Sequence, residues 1–358
     1  MLWSDDEDFV YVDESPDWKG SGRFNRKLCC GNEKFLEELK FSFAPRLVEA
    51  RKEEKFGDFY DAAALQGEGK FGSVYRCMHK STGLELAAKY VRTLNPRQKS
   101  DLEREVEILN QLQHPGIAQL FDVFYTDNAT ILVMELVEGG ELFERVADDH
   151  FVLTEQAVVM VVCQLCEALT YIHSRGVVHL DVKPENIMCV SRGGNQIKLV
   201  DFGLAQRWRE GLMLVAGTPE FIAPEVVAYT SVTYSSDMWS VGVIAYILLS
   251  GLSPFLGDND RETYANVSAG DWDFDNETFD KISPSARDFI SKLLVYDKTK
   301  RMSSKETLRH PWLDIESWIP DRKLAKEKFK KYVVKRRWKK AVHAIRALRR
   351  MGFDLKTL

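Results

Sequence analysis

From about Phe59 the chain alternates apolar and polar positions in short runs. Runs at 59–66, 73–79, 85–92, 119–124 and 130–135 carry the period of two expected of strands. Among them, 97–113 carries the 3.6-residue period of a helix. After the Gly139-Gly140 break the pattern turns helical, over 141–148, 155–175, 236–251, 260–269, 284–294 and 303–308. This order predicts an α+β chain of two lobes, a small sheet with one helix and then a larger helical body. The lobes are expected at 58–136 and 137–313, with a tail at 314–358. Residues 1–57 lack sustained periodicity and read as a mostly flexible extension with a short helix near 33–40. The alternative is that its aromatic residues Trp3, Phe9, Tyr11 and Trp18 dock on a surface.

Composition narrows the class. A hydrophobic content of 45% over 358 residues supports a real core. The apolar stretches around 157–172 and 241–252 carry Gln164, Glu167, Ser250 and Gly251, so they read as buried helices too short or too polar to span a bilayer. The N-terminus is acidic and lacks a basic-then-apolar leader. Six scattered Cys suit a reducing, cytoplasmic setting; Cys163 and Cys166 read as one buried helix face, and Cys29 and Cys30 as free thiols. The seven His form no metal-ligand pattern. The net charge of −5 hides an asymmetry: residues 322–350 hold 14 Lys/Arg against Glu327 alone, a local +13 that leaves −18 on the rest. Such a tail folds back on the acidic body or leaves for an acidic partner. No nucleic-acid partner is expected.

Three motifs carry chemistry. Gly67-Glu68-Gly69-Lys70-Phe71-Gly72-Ser73-Val74 lies between two strand patterns, where glycines let backbone N–H groups approach phosphates. A β-type run follows it, which argues against a dinucleotide loop that opens a helix. Lys89 ends the next strand, Leu86-Ala87-Ala88-Lys89, placed to hold phosphates if a carboxylate positions it. Glu105 is the candidate because it shares an inward-leaning helix face with Ile108 and Leu109; Glu103 and Glu107 are the alternatives. His179-Leu180-Asp181-Val182-Lys183-Pro184-Glu185-Asn186 then precedes Asp201-Phe202-Gly203, with 15 residues from Asn186 to Asp201. Asp181 is spaced to orient the proton of an attacking hydroxyl, Lys183 to neutralise a transferring phosphoryl group, and Asn186 and Asp201 to hold Mg²⁺ on nucleotide phosphates. His179 reads as packing under Phe202 rather than as a base.

Over 59–313 these motifs resemble a eukaryotic Ser/Thr protein kinase. Glu138-Gly139-Gly140-Glu141-Leu142-Phe143-Glu144-Arg145, His179-Leu180-Asp181 and Gly251-Leu252-Ser253-Pro254-Phe255-Leu256-Gly257-Asp258-Asn259-Asp260 narrow the resemblance to the Ca²⁺/calmodulin-dependent group. Within it, the chain looks most like myosin light chain kinases and the titin and twitchin kinases. The resemblance implies Mg·ATP as cosubstrate, with Leu65, Val74, Ala87 and Met188 lining the nucleotide and Met134 as gatekeeper. Glu135 and Leu136 would supply hinge backbone groups, and Glu141 would meet the ribose or a basic substrate residue. Glu185 is a second candidate for basic substrate residues. A buried Glu225–Arg301 pair and an Asp237 that holds the catalytic-loop backbone are also implied. The expected substrate is a Ser/Thr preceded by Arg or Lys, with myosin regulatory light chain as the example. A monomer in the cytoplasm, near actomyosin or cytoskeleton, is expected. One departure stands out. The family's Arg before the catalytic Asp is Leu180 here, and 204–217 contains no Ser, Thr or Tyr to phosphorylate.

The tail carries the remaining signal. Trp338, Val342 and Ile345 share one helical face, Met351 follows, and eight Lys/Arg between Lys335 and Arg350 surround them. A basic amphipathic helix with bulky anchors is a calmodulin-target pattern, expected over 330–352. Static packing on the domain and binding to anionic membrane are the alternatives. For the chain as a whole, the alternative to an enzyme is a scaffold or mechanosensing protein with little turnover.

Overall fold

The computed structural model describes residues 41–69, 72–93, 95–214, 216–314 and 323–350. The helix expected near 33–40, Cys29, Cys30, Lys70, Phe71 and Met351 lie outside the described residues.

Five strands form one antiparallel sheet: β1 (Tyr60–Gly69), β2 (Gly72–His79), β3 (Glu85–Arg92), β4 (Leu120–Tyr125) and β5 (Ala129–Glu135), in the order β1-β2-β3-β5-β4. Each expected strand run is present. Register pairs Val74 with Lys89 and Ala87 with Met134, so these four residues share one face of the sheet. The other face packs a small core of Tyr60, Cys77, Leu86, Ala88, Phe121 and Phe124. Helix α1 (Pro96–Gln111) starts where Asn95 Oδ1 accepts the Gln98 N–H at 2.9 Å and Pro96 supplies a helical φ. It buries Leu102, Glu105, Val106, Ile108 and Leu109.

Residues 41–57 differ from the expected flexible extension. Val48 is buried, and Arg51 bridges β4 through backbone bonds of 2.8 Å to Val123 and Tyr125. The Arg51 guanidinium pairs with the buried Asp122 at 3.0 Å, and Asn110 bonds both the N–H and C=O of Val48. Polar pairing and widely spaced apolar anchors, Phe43 on Phe121, Val48 and Phe56, hold this segment, so no apolar period announces it.

The second lobe is built on α2 (Leu142–Ala147), α3 (Glu155–Ser174), α4 (Tyr234–Ser250), α5 (Asp260–Ala269) and α6 (Pro284–Leu293). Helix α3 has 20 residues, longer than the expected apolar stretch, and meets a membrane span's length and composition. Its burial, from Val158 through Cys163 and Cys166 to Ile172, is that of a core helix. Two ribbons too short to show a period complete the lobe: β6 (Val177–Val178) with β9 (Gln206–Arg207), and β7 (Ile187–Cys189) with β8 (Ile197–Leu199).

The tail is helix α7 (Glu327–Arg350), packed against α2 and α4. Phe329 is fully buried, with its ring 5.2 Å from that of Phe143. Lys326 donates to the carbonyls of Asp148 and Phe151 at 2.6 Å, just past the C-terminal end of α2, where a cation is favoured. Gly251 ends α4 at φ 71°, and a Cβ there would lie 2.3 Å from the Phe329 nitrogen. The tail thus lies where only a glycine leaves room.

Arg301 is wholly buried and donates to Glu225 at 2.8 and 3.1 Å. Ser236 also donates to Glu225, and the guanidinium sits 5.0 Å from the Trp239 ring centre. Glu225→Ala would leave a buried unpaired guanidinium, with an expected loss of about 3–5 kcal/mol. Equilibrium unfolding in denaturant checks this; a loss under about 1 kcal/mol, the worth of an exposed pair, would contradict it.

Candidate active site

Lys89 on β3 donates to Glu105 on α1 at 2.9 Å and to Asp201 at 3.1 Å. Of the three candidate carboxylates, Glu105 is therefore the partner; Glu107 pairs with Arg207 at the surface. Burial alone would lower the Lys89 pKa, but the two carboxylates raise it above its ordinary value. Burial would likewise raise Asp201, and Lys89 pulls it below the usual carboxylate range. Both groups stay charged, as phosphate and cation binding require.

The β7–β8 ribbon brings the two candidate oxygen ligands together. Asn186 directly precedes β7, Asp201 follows β8, and the Val200 N–H donates to the Asn186 carbonyl at 2.8 Å. The Asn186 amide donates to the carbonyl and to Oδ2 of Asp181, each at 2.9 Å. Lys183 reaches the same Oδ2 at 2.6 Å. Burial raises the Asp181 pKa, and the Lys183 charge works against that rise.

The backbone under Asp181 is strained and held. Leu180 sits at φ 62°, uncommon for a residue with a side chain. Asp237 accepts its N–H at 2.7 Å and that of His179 at 2.9 Å, and is met by His173 at 2.8 Å. His179 is fully buried with its ring 4.7 Å from Phe202, and burial lowers its pKa. A neutral ring packed on Phe202 is a structural residue, as its position in the motif suggests.

The glycine loop is a hairpin whose described arms pair Gly67 with Val74, Glu68 with Ser73 and Gly69 with Gly72. At Gly72, with φ 150°, a Cβ would lie 1.8 Å from the Tyr90 carbonyl oxygen. Val74, Ala87, Lys89 and Met134 share the sheet face beneath this loop, and half-exposed Leu65 lies on β1. Met188, in the second lobe, bridges Glu141 of the same lobe. Leu136 directly follows β5, in the connection to the second lobe. The carboxylate of Glu135 is taken up elsewhere: Lys198 at 3.0 Å, the Gln119 N–H at 3.2 Å and the Ser42 hydroxyl. The Glu135 N–H donates to the Gln119 carbonyl at 2.8 Å, so a hinge role falls to its main-chain carbonyl.

Helix α7 meets a row of acids beside this site. Arg336 donates to Glu185 at 2.7 Å, and its guanidinium lies 5.0 Å from the Phe221 ring centre. Lys340 reaches Glu185 at 3.1 Å and Glu141 at 3.4 Å. Arg337 Nε donates to Glu144 at 2.7 Å, Lys339 pairs with Asp260 at 2.7 Å, and the Tyr332 hydroxyl donates to Glu220 at 2.7 Å. Burial would raise the Glu185 pKa; Arg336 and Lys340 hold it below the ordinary value. Sequence reasoning named Glu141 and Glu185 but missed Glu144, Glu220 and Asp260. Of these only Glu144, three residues after Glu141 and so on the same helical side, left a readable signal.

Residues 60–313 match the protein kinase domain family. The chain belongs to that family. It is 47% identical, over 310 residues, to "Myosin light chain kinase, smooth muscle" of Gallus gallus, covering 86% of this chain and 16% of that protein. It is 49% identical, over 275 residues, to "Myosin light chain kinase family member 4" of Homo sapiens, covering 76% of this chain and 71% of that protein. The kinase therefore falls in the myosin light chain kinase branch. It spans 37% of the length of "Myosin light chain kinase 3" of Rattus norvegicus. Among solved structures it is similar to the twitchin kinase region of C. elegans, with TM-score 0.80 and 40% identity over 83% of this chain and 53% of that one. The autoinhibited serine kinase domain of titin gives TM-score 0.73 and 34% identity over 78% of this chain and 88% of that one.

Lys89→Met removes the cation between Glu105 and Asp201. Turnover on a basic Ser/Thr peptide is expected to fall about 10²–10³-fold. Steady-state rates with far-ultraviolet circular dichroism check this; a folded variant with unchanged rate would contradict it.

Proposed function

We propose that this kinase transfers the ATP γ-phosphoryl group to a Ser or Thr flanked by basic residues, is held off by its own tail, and is released by Ca²⁺/calmodulin. The observation that carries the reading is the row of ion pairs from α7 to Glu185, Glu141, Glu144 and Asp260, beside Asp181.

The nucleotide site fits Mg·ATP by the chemistry of its donors. Lys89 suits α- and β-phosphates, and the oxygens of Asn186 and Asp201 suit a hard cation that phosphates help to ligate. Among the described residues no cluster of three or more His, Cys, Asp or Glu could hold a metal by itself, so phosphates would have to complete the shell. When bound, the cation neutralises charge on the phosphates. Asp181 accepts the hydroxyl proton as the acceptor oxygen attacks, and Lys183 balances the charge of the group in transfer. Asn186 fixes the Asp181 carboxylate for that task.

Acids that now bind Arg336 and Lys340 would bind Arg or Lys ahead of the acceptor. The tail offers no Ser or Thr between 318 and 356, so it would fill the groove without being phosphorylated. Two similar solved structures are described as autoinhibited or autoregulated kinases, which supports this arrangement. Trp338 and Ile345 are 69% and 41% exposed while α7 is docked, and Val342 is partly exposed. The calmodulin anchors would therefore lie on the face of α7 turned away from the catalytic body. Myosin regulatory light chain is the proposed substrate, on the kinship with myosin light chain kinases.

Truncation after Ile319 is expected to raise the basal rate on a basic light-chain peptide to the level reached with Ca²⁺/calmodulin, and Asp181→Asn to remove about 10²–10⁴-fold of it. An unchanged basal rate in the folded truncation would reject tail inhibition; an unchanged rate in the Asn variant would reject the proton acceptor. Arg336→Ala leaves Glu185 without its main partner, weakening docking by about 2 kcal/mol or more, some thirtyfold in the equilibrium. The rate without calmodulin should rise accordingly, and equal basal rates would remove Arg336 from the inhibitory contact.

A further inference from the structure

Helix α7 has two worked faces. Phe329, Tyr332, Val333, Arg336 and Lys340 step by three and four residues and are turned to the catalytic body. Lys331, Val334, Lys335, Trp338, Val342 and Ile345 step the same way from a start two residues later, about 200° around the helix. This second face is uncovered: Val334 is 49% exposed, Trp338 69% and Ile345 41%. Lys331 and Lys335 are exposed and, unlike Arg336, Arg337, Lys339 and Lys340, pair with no carboxylate among the described residues.

We propose that the acidic N-terminal segment of this same chain, residues 1–19, docks on the outer face of α7 and shields it in the resting kinase. Three observations point to this occupant. Its charge is complementary: residues 1–19 hold seven acids against Lys19, facing two spare lysines in a tail of net +13. Its apolar content is complementary as well. Trp3, Phe9, Tyr11 and Trp18 are interleaved with those acids and match an outer face of Val334, Trp338 and Ile345. Its tether also leads to the right place. Ser42 donates to Glu135 at the end of β5, and Glu141, six residues on, accepts from Lys340. Six residues span at most about 22 Å, so the chain enters the described structure close to the tail helix. The 22 residues from Lys19 to Phe41 reach up to ~75 Å, more than the distance to be covered.

The contact adds a second intramolecular layer to the tail. The inner face blocks the substrate groove, and the acidic segment covers the outer face with the same mix of carboxylates and bulky apolar groups that an acidic, groove-bearing partner presents. Calmodulin would then have to displace residues 1–19 before it reaches Trp338. That competition rests on the calmodulin reading above; the contact itself does not.

The test is zero-length carbodiimide coupling of the full chain, without nucleotide, Ca²⁺ or calmodulin, with peptide mapping by mass spectrometry on a mixture of ¹⁴N- and ¹⁵N-labelled protein. Isopeptide bonds from acids among Asp5–Asp17 to Lys331 or Lys335 within one chain are expected, and should be lost in high salt. Amide hydrogen exchange across 331–346 should be several-fold slower in the full chain than in a chain lacking 1–19. Bonds only to lysines elsewhere on the body, bonds only between copies, or equal exchange in the two chains would each overturn the proposal. Because neither readout needs turnover or calmodulin, a kinase that failed to respond to calmodulin would still decide it.

Discussion

The bridge from Lys89 to Glu105 and Asp201 is the interaction on which the rest depends. It ties the sheet, the helix beside it and the segment after β8 into one unit across the two lobes. Each partner is costly to bury alone, so the charged trio is stable only when all three elements are in place. Here it is assembled while α7 is docked against Glu185 and Glu141. On the proposed reading, the nucleotide site is already assembled behind the docked tail. This fits a 204–217 segment without a hydroxyl and a Leu at 180, since no charged loop has to be drawn in to build the site.

Docking of α7 combines two kinds of contact. Phe329 and Val333 give α7 apolar anchorage, whereas Arg336 and Lys340 give it register by pairing with Glu185 and Glu141, the carboxylates proposed to receive basic substrate residues. Because Arg336 and Glu185 are both largely withdrawn from water, the pair is only weakly screened by salt, unlike the exposed Lys328 and Lys330 contacts at the start of the helix. The strong contacts are therefore at the active centre and the weak ones near the chain's entry.

Much of this was legible in the sequence, for physical reasons. Strand and helix runs could be read because each lobe presents one apolar face to a core, and Asp181, Lys183, Asn186 and Asp201 because phosphoryl transfer needs those side chains at short fixed spacings. Glu105 could be favoured over its neighbours from helical phase alone. Docking of 41–57 was not legible, because Arg51–Asp122 and Asn110–Val48 are polar contacts between distant positions. The Lys198–Glu135 pair escaped for the same reason, although it decides which part of Glu135 can serve the hinge. The tail's basic helix was evident, whereas the identity of its acidic partners Glu220 and Asp260 required the fold.

Gly251 carries two demands that separate chemically. Its left-handed backbone ends α4, a role Asn also fills at modest strain; its missing Cβ admits the Phe329 backbone, a role no other residue fills. An Asn at this helix terminus, far in sequence from the catalytic motifs, would keep the lobe intact and crowd the tail out. Under the proposed tail inhibition, a change at Gly251 would raise activity by crowding the Phe329 backbone rather than by touching the catalytic groups.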